Sequence, residues 1–496
     1  MDTDQQFEAG PKHRDLSARA FKDSGHYAVD WIANYLENIE RYPVLAQTKP
    51  GEIKAKLPEH PPEKPENFDQ VREDFERIIL PGITHWNHPR FFAYFAVTGS
   101  YAGVIGEMLA SALNVNAMLW RASPAATELE ATVLDWLREM VGLPDEFEGV
   151  INDTASVSSL NAIVAAREAA GLKIREKGMA GRTDLPRLRI YTSEEAHSSI
   201  EKAAIVLGFG QEGVMKIPTD DNFRMDAGAL QNAIRNDLTN AVKPICVIPT
   251  IGTTSTTSVD PVKEISEICK EHGIWMHVDA AYGGSAAILP RMRGLFTGWE
   301  QADSIVMNPH KWLFTQLDCS ALYCRHPEIL KQAFSLVPEY LRTPETGDVT
   351  NYMDYGVSLG RRFRALKLWM IIRSMGRKGI ADTIGDHIAY AAKLADIIKA
   401  DTNFQLLAPV PFSTVVFQFR PKTLVDGGQM KETEVNDLNE RLLNAVNQTG
   451  KAFLSHTKLR GKFGIRMAIG NLKTQWKDVH ETWDLIQAEA ASLMTT

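Results

Sequence analysis

Lys311 stands in Ser304-Ile305-Val306-Met307-Asn308-Pro309-His310-Lys311-Trp312-Leu313-Phe314, between two apolar runs that both favour burial. A lysine is rarely buried unless it is paired or consumed by chemistry. Other reactive side chains fall where apolar runs end. The run 274–278 delivers Asp279, and the small residues that follow (Ala280, Ala281, Gly283, Gly284) would let something flat approach the backbone. The run 187–193 leads to Ala196-His197-Ser198-Ser199, and 243–250 leads to Gly252-Thr253-Thr254-Ser255. Taken singly, each is commonplace: an aspartate after a strand caps a helix, a loop histidine is a satisfied polar group, a lysine after a proline is solvated. Four strand ends that converge on a lysine, an acid, a histidine and threonines are far less expected from chance.

An acid, a lysine and a flat slot together suit pyridoxal phosphate. That cofactor needs an amine for a Schiff base and a carboxylate to keep its pyridine nitrogen protonated, so that the ring acts as an electron sink. It also needs a phosphate cradle, best built at a helix N-terminus. Asn152-Asp153-Thr154-Ala155-Ser156, opening a helix expected near 156–170, suits that cradle. A desolvated lysine loses proton affinity and gains nucleophilicity. One competing motif is set aside. Gly208–Gly213 satisfies G-x-G-x-x-G, but a helical pattern precedes it and the strand-like Val214-Met215-Lys216-Ile217 follows. Dinucleotide binding requires the reverse order, so the stretch reads as a helix end and a turn.

The elements that must position these residues fall into three zones. Residues 1–100 carry apolar residues at helical spacing (Trp31, Ile32, Tyr35, Leu36, Ile39; then Val71, Phe75, Ile78, Ile79), separated by a proline-rich connector at 57–65. Such an arm has little core of its own and must lie on something else. Residues 101–366 alternate strand and helix patterns, which predicts an α/β fold with a mostly parallel sheet. Its strands are expected at 188–191, 245–248, 274–278, 304–307 and 321–324. Helices are expected from Ser123-Pro124 to Gly142 and over 261–272. Sites in such sheets gather at the carboxyl ends of strands. Residues 367–496 show a helix near 377–400, strands at 414–419 and 464–467, and a closing helix near 475–494, the pattern of a small α+β domain.

Composition narrows the class. The chain has 496 residues, 44% hydrophobic and 23% charged, and a net charge of −8, which argues against a dedicated nucleic-acid binder. No apolar run of about 18 residues predicts a membrane span. The polar start Met1–Gln6 shows no secretory leader. Four cysteines without a C-x-x-C pair suit neither a disulfide framework nor a zinc ribbon. The expectation is a soluble cytoplasmic protein with free thiols and no metal.

The stretches Asn308-Pro309-His310-Lys311-Trp312 and His277-Val278-Asp279-Ala280-Ala281-Tyr282 carry a specific resemblance. It extends from Pro81-Gly82-Ile83-Thr84-His85-Trp86 to Leu359-Gly360-Arg361-Arg362-Phe363-Arg364 and into the last zone. The chain resembles the pyridoxal-phosphate-dependent group II decarboxylases, and among them the aromatic-L-amino-acid decarboxylases. The resemblance implies a fold-type I (aspartate-aminotransferase-like) large domain, a small C-terminal domain and a homodimer across which the N-terminal arm packs. It implies Lys311 as the Schiff-base lysine, Asp279 as the pyridine partner, His197 and Ala281 on the two ring faces, and Thr254 near cofactor and substrate. Phosphate contacts would come from Ala155, Ser156, Asn308 and His310. Asp153 and Val157 depart from the glycine and glutamate of some relatives. Trp86, Tyr94 and Phe95 would line the substrate pocket.

The resemblance also bears on the reaction. Tyr340, in a Pro-, Gly- and Thr-rich lid segment near 336–356, matches the tyrosine that protonates the substrate α-carbon, where aldehyde synthases of the same family carry phenylalanine. That favours simple decarboxylation over oxygen-consuming aldehyde synthesis. An aminotransferase suits the whole-chain resemblance less well, and a site that had lost its chemistry would lack Lys311 or Asp279. Animal relatives that use catechols have Pro-Thr where this chain has Ala96-Val97. Plant relatives with glycine at the place of Gly360 use indoles, and those with serine use phenols. Asn116 is a further candidate pocket residue, able to bond either ring type. Tryptophan or phenylalanine is therefore expected to be preferred over tyrosine or DOPA.

Overall fold

The computed structural model describes residues 15–336, 349–422 and 430–495. Tyr340 lies outside the described residues. Seven strands form the larger sheet: β1 (Glu148–Asn152), β2 (Arg187–Ser193), β3 (Val214–Ile217), β4 (Val242–Ile248), β5 (Trp275–Asp279), β6 (Ser304–Met307) and β7 (Ser320–Cys324). Their spatial order is β1-β7-β6-β5-β4-β2-β3. All pairings are parallel except those of β7, which runs antiparallel to β1 and β6.

Period-two alternation explains why this sheet is buried on both faces. Ile151, Val247, Met276, Val278, Ile305, Ala321 and Tyr323 enter one apolar core with the helices Pro124–Val141 and Val262–His272. Their neighbours Val150, Cys246, Ile248, Trp275, Leu322 and Cys324 enter another, beneath the helix Ala155–Ala169. Each fully buried aliphatic side chain contributes about 1.5–3 kcal/mol. His277 breaks the apolar pattern of β5, yet it is satisfied: Ser304 Oγ lies 2.9 Å from Nδ1 and Ser159 Oγ 3.1 Å from Nε2.

A second, antiparallel sheet comprises β8 (Phe404–Leu406), β9 (Thr414–Phe419), β10 (Ser455–Leu459) and β11 (Lys462–Ala468), in the order β10-β11-β9-β8. Helices over Glu432–Gln448 and Trp476–Thr495 cover its core with Leu394 and Ile398. The long helix Ala365–Ala400 is broken at Gly376, whose φ of +65° is left-handed, so its second half begins where the 377–400 pattern does. The strands β1, β8 and β10 and the helix Glu432–Gln448 were not among the sequence expectations. They are short or amphipathic segments with little apolar signal.

The arm carries the helix Ala18–Glu37, with Ser17 capping its start, and the helical segment Phe68–Ile79; Trp31 meets Phe75 edge-on at 5.2 Å. Its end is woven into the rest. Phe92 lies in the core of the second sheet, its N–H donates to the Phe453 carbonyl, and its carbonyl accepts from Ala468 N–H, both at 2.9 Å. The segment 91–98 thereby runs from the small sheet to the large one. Gly208 and Gly210 have positive φ and lead into β3, as expected for a turn. All four cysteines are buried and free. No helix among the described residues is long and apolar enough to cross a membrane.

Candidate active site

The parallel register of β5 and β6 sets Asp279 beside Val306, and the chain beyond each strand turns toward one cavity of about 180 Å³. Asn308 N–H donates to the Ala281 carbonyl at 3.1 Å, tying the two strand exits together. Pro309 then starts a single helical turn, Pro309–Trp312, where its fixed φ suits the first position. That turn presents Lys311 to the cavity. Every residue expected to contact the cofactor lines this cavity: Ala155, Ser156, His197, Thr254, Asp279, Ala281, Asn308, His310 and Lys311.

The local bonds define what each group offers. Asp279 Oδ1 accepts the Ala281 N–H at 3.1 Å, which orients the carboxylate. Burial lowers the Lys311 pKa, nearby Asp279 opposes that shift, and Arg466 reinforces it. The His197 pKa is lowered chiefly by desolvation; Lys311 and Lys202 act in the same direction and Asp279 against it. His197 Nδ1 accepts the Ser199 N–H at 3.1 Å, so a neutral ring carries its proton on Nε2. His310 is pushed down to about 3, mainly by burial. Its Nδ1 accepts from Cys319 N–H at 2.9 Å, leaving an Nε2–H donor.

At the other end lies the helix Ala155–Ala169. The amides of Val157 and Ser158 bond back to the Thr154 carbonyl. Those of Ala155 and Ser156, ahead of them, are the donors an anion would take. Asp153 turns its carboxylate onto the Thr154 hydroxyl at 3.2 Å, capping its own turn. Two buried groups on the lining residues, the Asn308 amide oxygen and the Thr250 hydroxyl, have no hydrogen-bond partner among the described residues. An amine, an oriented carboxylate, an anion-binding helix end and unpaired polar groups around one slot fit pyridoxal phosphate.

The glycines after Asp279 serve a different purpose from the one expected. A Cβ on Gly283 would stand 2.5 Å from the Ile251 carbonyl oxygen, and one on Gly284 2.7 Å from Met307 Cγ. They admit neighbouring protein atoms; the ligand-facing small residue is Ala281.

The expected substrate residues are divided. Phe95 lines the Lys311 cavity and stacks on Tyr282 at 3.8 Å. Trp86 and Val97 instead line a separate cavity of about 560 Å³, together with Trp31, Tyr35 and Leu317. Tyr94 is exposed and stacks on Trp86 at 5.8 Å. Asn116 and Gly360 are neighbours elsewhere: Asn116 Oδ1 accepts the Arg361 N–H at 2.9 Å. Arg361 itself forms a buried ion pair with Glu130, which also accepts the Ile151 N–H. Residues not singled out from the sequence also serve the site. Thr250 and Tyr282 line it, and Arg466 lies behind Phe95. A lone arginine in the apolar run Gly464-Ile465-Arg466-Met467 was the available signal for the last.

Residues 50–420 match the family model described as the pyridoxal-dependent decarboxylase conserved domain. The chain belongs to the pyridoxal-dependent decarboxylases. It is 40% identical to tyrosine decarboxylase 3 of Petroselinum crispum over 489 residues, 97% of this chain and 93% of that one. It is 38% identical to the phenylacetaldehyde synthase of a Rosa hybrid cultivar, over 98% of this chain and 99% of that protein. Among solved structures it is similar to Oryza sativa TDC with PLP and tryptamine, at a TM-score of 0.92 and 37% identity, covering 97% and 99% of the two chains. The decarboxylase is thus a carboxy-lyase of the aromatic-amino-acid group, with pyridoxal phosphate as its cofactor.

Its buried histidines predict an acid response. Burial lowers the pKa of both His277 and His387 to about 4 from an ordinary 6.5. A depressed folded pKa gives stability that is complete above the unfolded value and lost as pH falls from about 6.5 toward 4. At pH 5 each such histidine should cost the fold about 2 kcal/mol relative to pH 7.5. Urea unfolding of His277→Gln at both pH values should therefore show a smaller acid loss than the wild type, by about that amount. An identical loss in both proteins would mean His277 becomes charged within the fold.

Proposed function

We propose that this decarboxylase releases CO2 from an aromatic L-amino acid and yields the arylalkylamine, with L-tryptophan or L-phenylalanine preferred over L-tyrosine and L-DOPA. The observation that carries the chemistry is the placement of Lys311 and Asp279 on adjacent strand exits around one cavity. Bound pyridoxal phosphate supplies an electron sink for the bond broken at the α-carbon. Lys311 would hold the cofactor through its amine. Asp279 holds a proton at the ring nitrogen. His197 and Ala281 confine the ring, while Ala155, Ser156, Asn308 and His310 hold its phosphate. Thr254 stands beside the substrate. The stacked rings of Phe95, Tyr282 and Trp312 keep water from one wall. The Tyr340 hydroxyl gives the α-carbon its proton.

Lys311→Ala should fold, lose the visible absorbance that borohydride bleaches in the wild type, and lose nearly all turnover. Asp279→Asn should keep bound cofactor but turn over far more slowly. Wild-type turnover in either variant would remove that residue from the chemistry.

The reading includes a homodimer. Tyr101, Ile105, Met108, Leu109 and Leu113 form an exposed apolar stripe on the helix Tyr101–Leu113, and Phe21 and Val29 are exposed on the arm. Such a stripe favours a protein partner. The division of the substrate residues over separate surfaces suits a site completed by a second copy. Light scattering of the full chain should give twice 55.3 kDa. An active species at the monomer mass would refute the dimer.

Substrate preference rests on Val97 and Gly360. Valine cannot bond a ring hydroxyl, and a buried unpaired hydroxyl costs about 1–3 kcal/mol, or about 5- to 150-fold in preference. In competition assays kcat/KM should be higher for L-tryptophan or L-phenylalanine than for L-DOPA, with amine as the product rather than aldehyde, ammonia and peroxide. Val97→Thr should move the ratio toward the phenols. A wild-type preference for L-DOPA over both unhydroxylated substrates would overturn this assignment.

A further inference from the structure

The second sheet contributes one charge to the site of the first. Arg466 lies within β11 and is only 3% exposed. Its guanidinium carbon is 4.6 Å from the Phe95 ring centroid, and the Lys311 amine is 5.0 Å from the same centroid. The two cations are therefore no more than about 10 Å apart. Arg466 donates to the Tyr94 carbonyl, and through Nε to the Ser255 carbonyl at 3.3 Å. Its Nη2 is buried with no hydrogen-bond partner among the described residues. Among the described residues no carboxylate forms an ion pair with it. A buried charge with no counterion is costly to the fold, so a compensating use is expected.

Its contacts define that use. Tyr94, whose carbonyl it holds, has a φ of +52°, a left-handed conformation that a tyrosine adopts only when held. The bond therefore fixes the turn that sets the Phe95 ring beside Lys311. We propose that Arg466 is a positioning residue for the Lys311 amine: it seats Phe95 as the wall of that amine's pocket, and its uncompensated charge biases the amine toward the neutral, bond-forming state.

The groups acting on the amine from the surrounding elements are few. Asp279, from β5, favours its proton, and Arg466, from β11, disfavours it. His197 and His310 also interact with it electrostatically, and burial holds both toward the neutral form. Arg466 is thus the positive charge that opposes Asp279.

The proposal rests on Lys311 being the attachment point of the cofactor, and one experiment separates the two. In the full-length chain freed of cofactor, covalent capture of pyridoxal phosphate is followed between about pH 6 and 11, trapped with borohydride and located by peptide mass. Arg466→Met retains a long apolar stem and removes the charge. The midpoint of its pH–rate curve should rise by on the order of one unit, slowing capture about tenfold near pH 7 but not at the alkaline plateau. Arg466→Lys, which keeps the charge, should hold the midpoint close to the wild-type value. An unchanged midpoint, or equal slowing at every pH, would overturn the proposal and leave Arg466 a purely structural group. So would a wild-type midpoint at the ordinary lysine value of about 10.4, a check that needs no variant to fold. Capture at a residue other than Lys311 would instead defeat the underlying reading.

Discussion

The site depends on the parallel pairing of β5 with β6. Parallel strands end on the same edge, so residues far apart in sequence leave the sheet side by side. Asp279 is the last residue of β5, and Lys311 follows β6 by one short turn. The backbone ladder thereby brings a carboxylate and the turn that bears the amine to one edge. β4 adds Thr250, and β2 leads to His197 by the same logic. The antiparallel β7 lies between β6 and β1, and its Ser320 pairs with Asn152, the residue that introduces the helix Ala155–Ala169. The anion-binding end of that helix is in this way brought to the same edge as the lysine.

The polar groups of the cavity are poised between water and burial. His310 and His277 remain neutral because desolvation outweighs their neighbours, and each finds a hydroxyl or an amide that a neutral ring can satisfy. Lys311 has Asp279 nearby, and Arg466 donates to the carbonyls of Tyr94 and Ser255. Two basic groups near one ring and a single carboxylate form a setting that suits an anionic cofactor.

Much of this was legible in the sequence because strand ends leave a strong signal. An apolar run that stops at Asp279 or at Asn308-Pro309-His310-Lys311 states both the element and its chemistry. The central strands were read within one to three residues, since burial on both faces makes them continuous apolar runs. β8 and β10 were missed because an exposed or edge strand, such as Ser455–Leu459, alternates polar residues and has no such run. Arg466 was passed over for a related reason: its importance lies in a ring 371 positions away, and no local pattern encodes a tertiary neighbour. Trp86, Val97, Asn116 and Gly360 could be named from the resemblance, but their separation onto different surfaces could not.

The weave of the segment 91–98 into the second sheet has a consequence for how the chain is made. Tyr94 donates its N–H to Ser455 Oγ and accepts at its carbonyl from Arg466, partners 361 and 372 residues further on. At translation rates of about 5–20 residues per second, those partners emerge roughly 20–70 seconds later. Through that interval Phe92 lacks the second-sheet residues that bury it. The nascent chain thus carries one aromatic ring, Phe92, that only the last part of synthesis can cover.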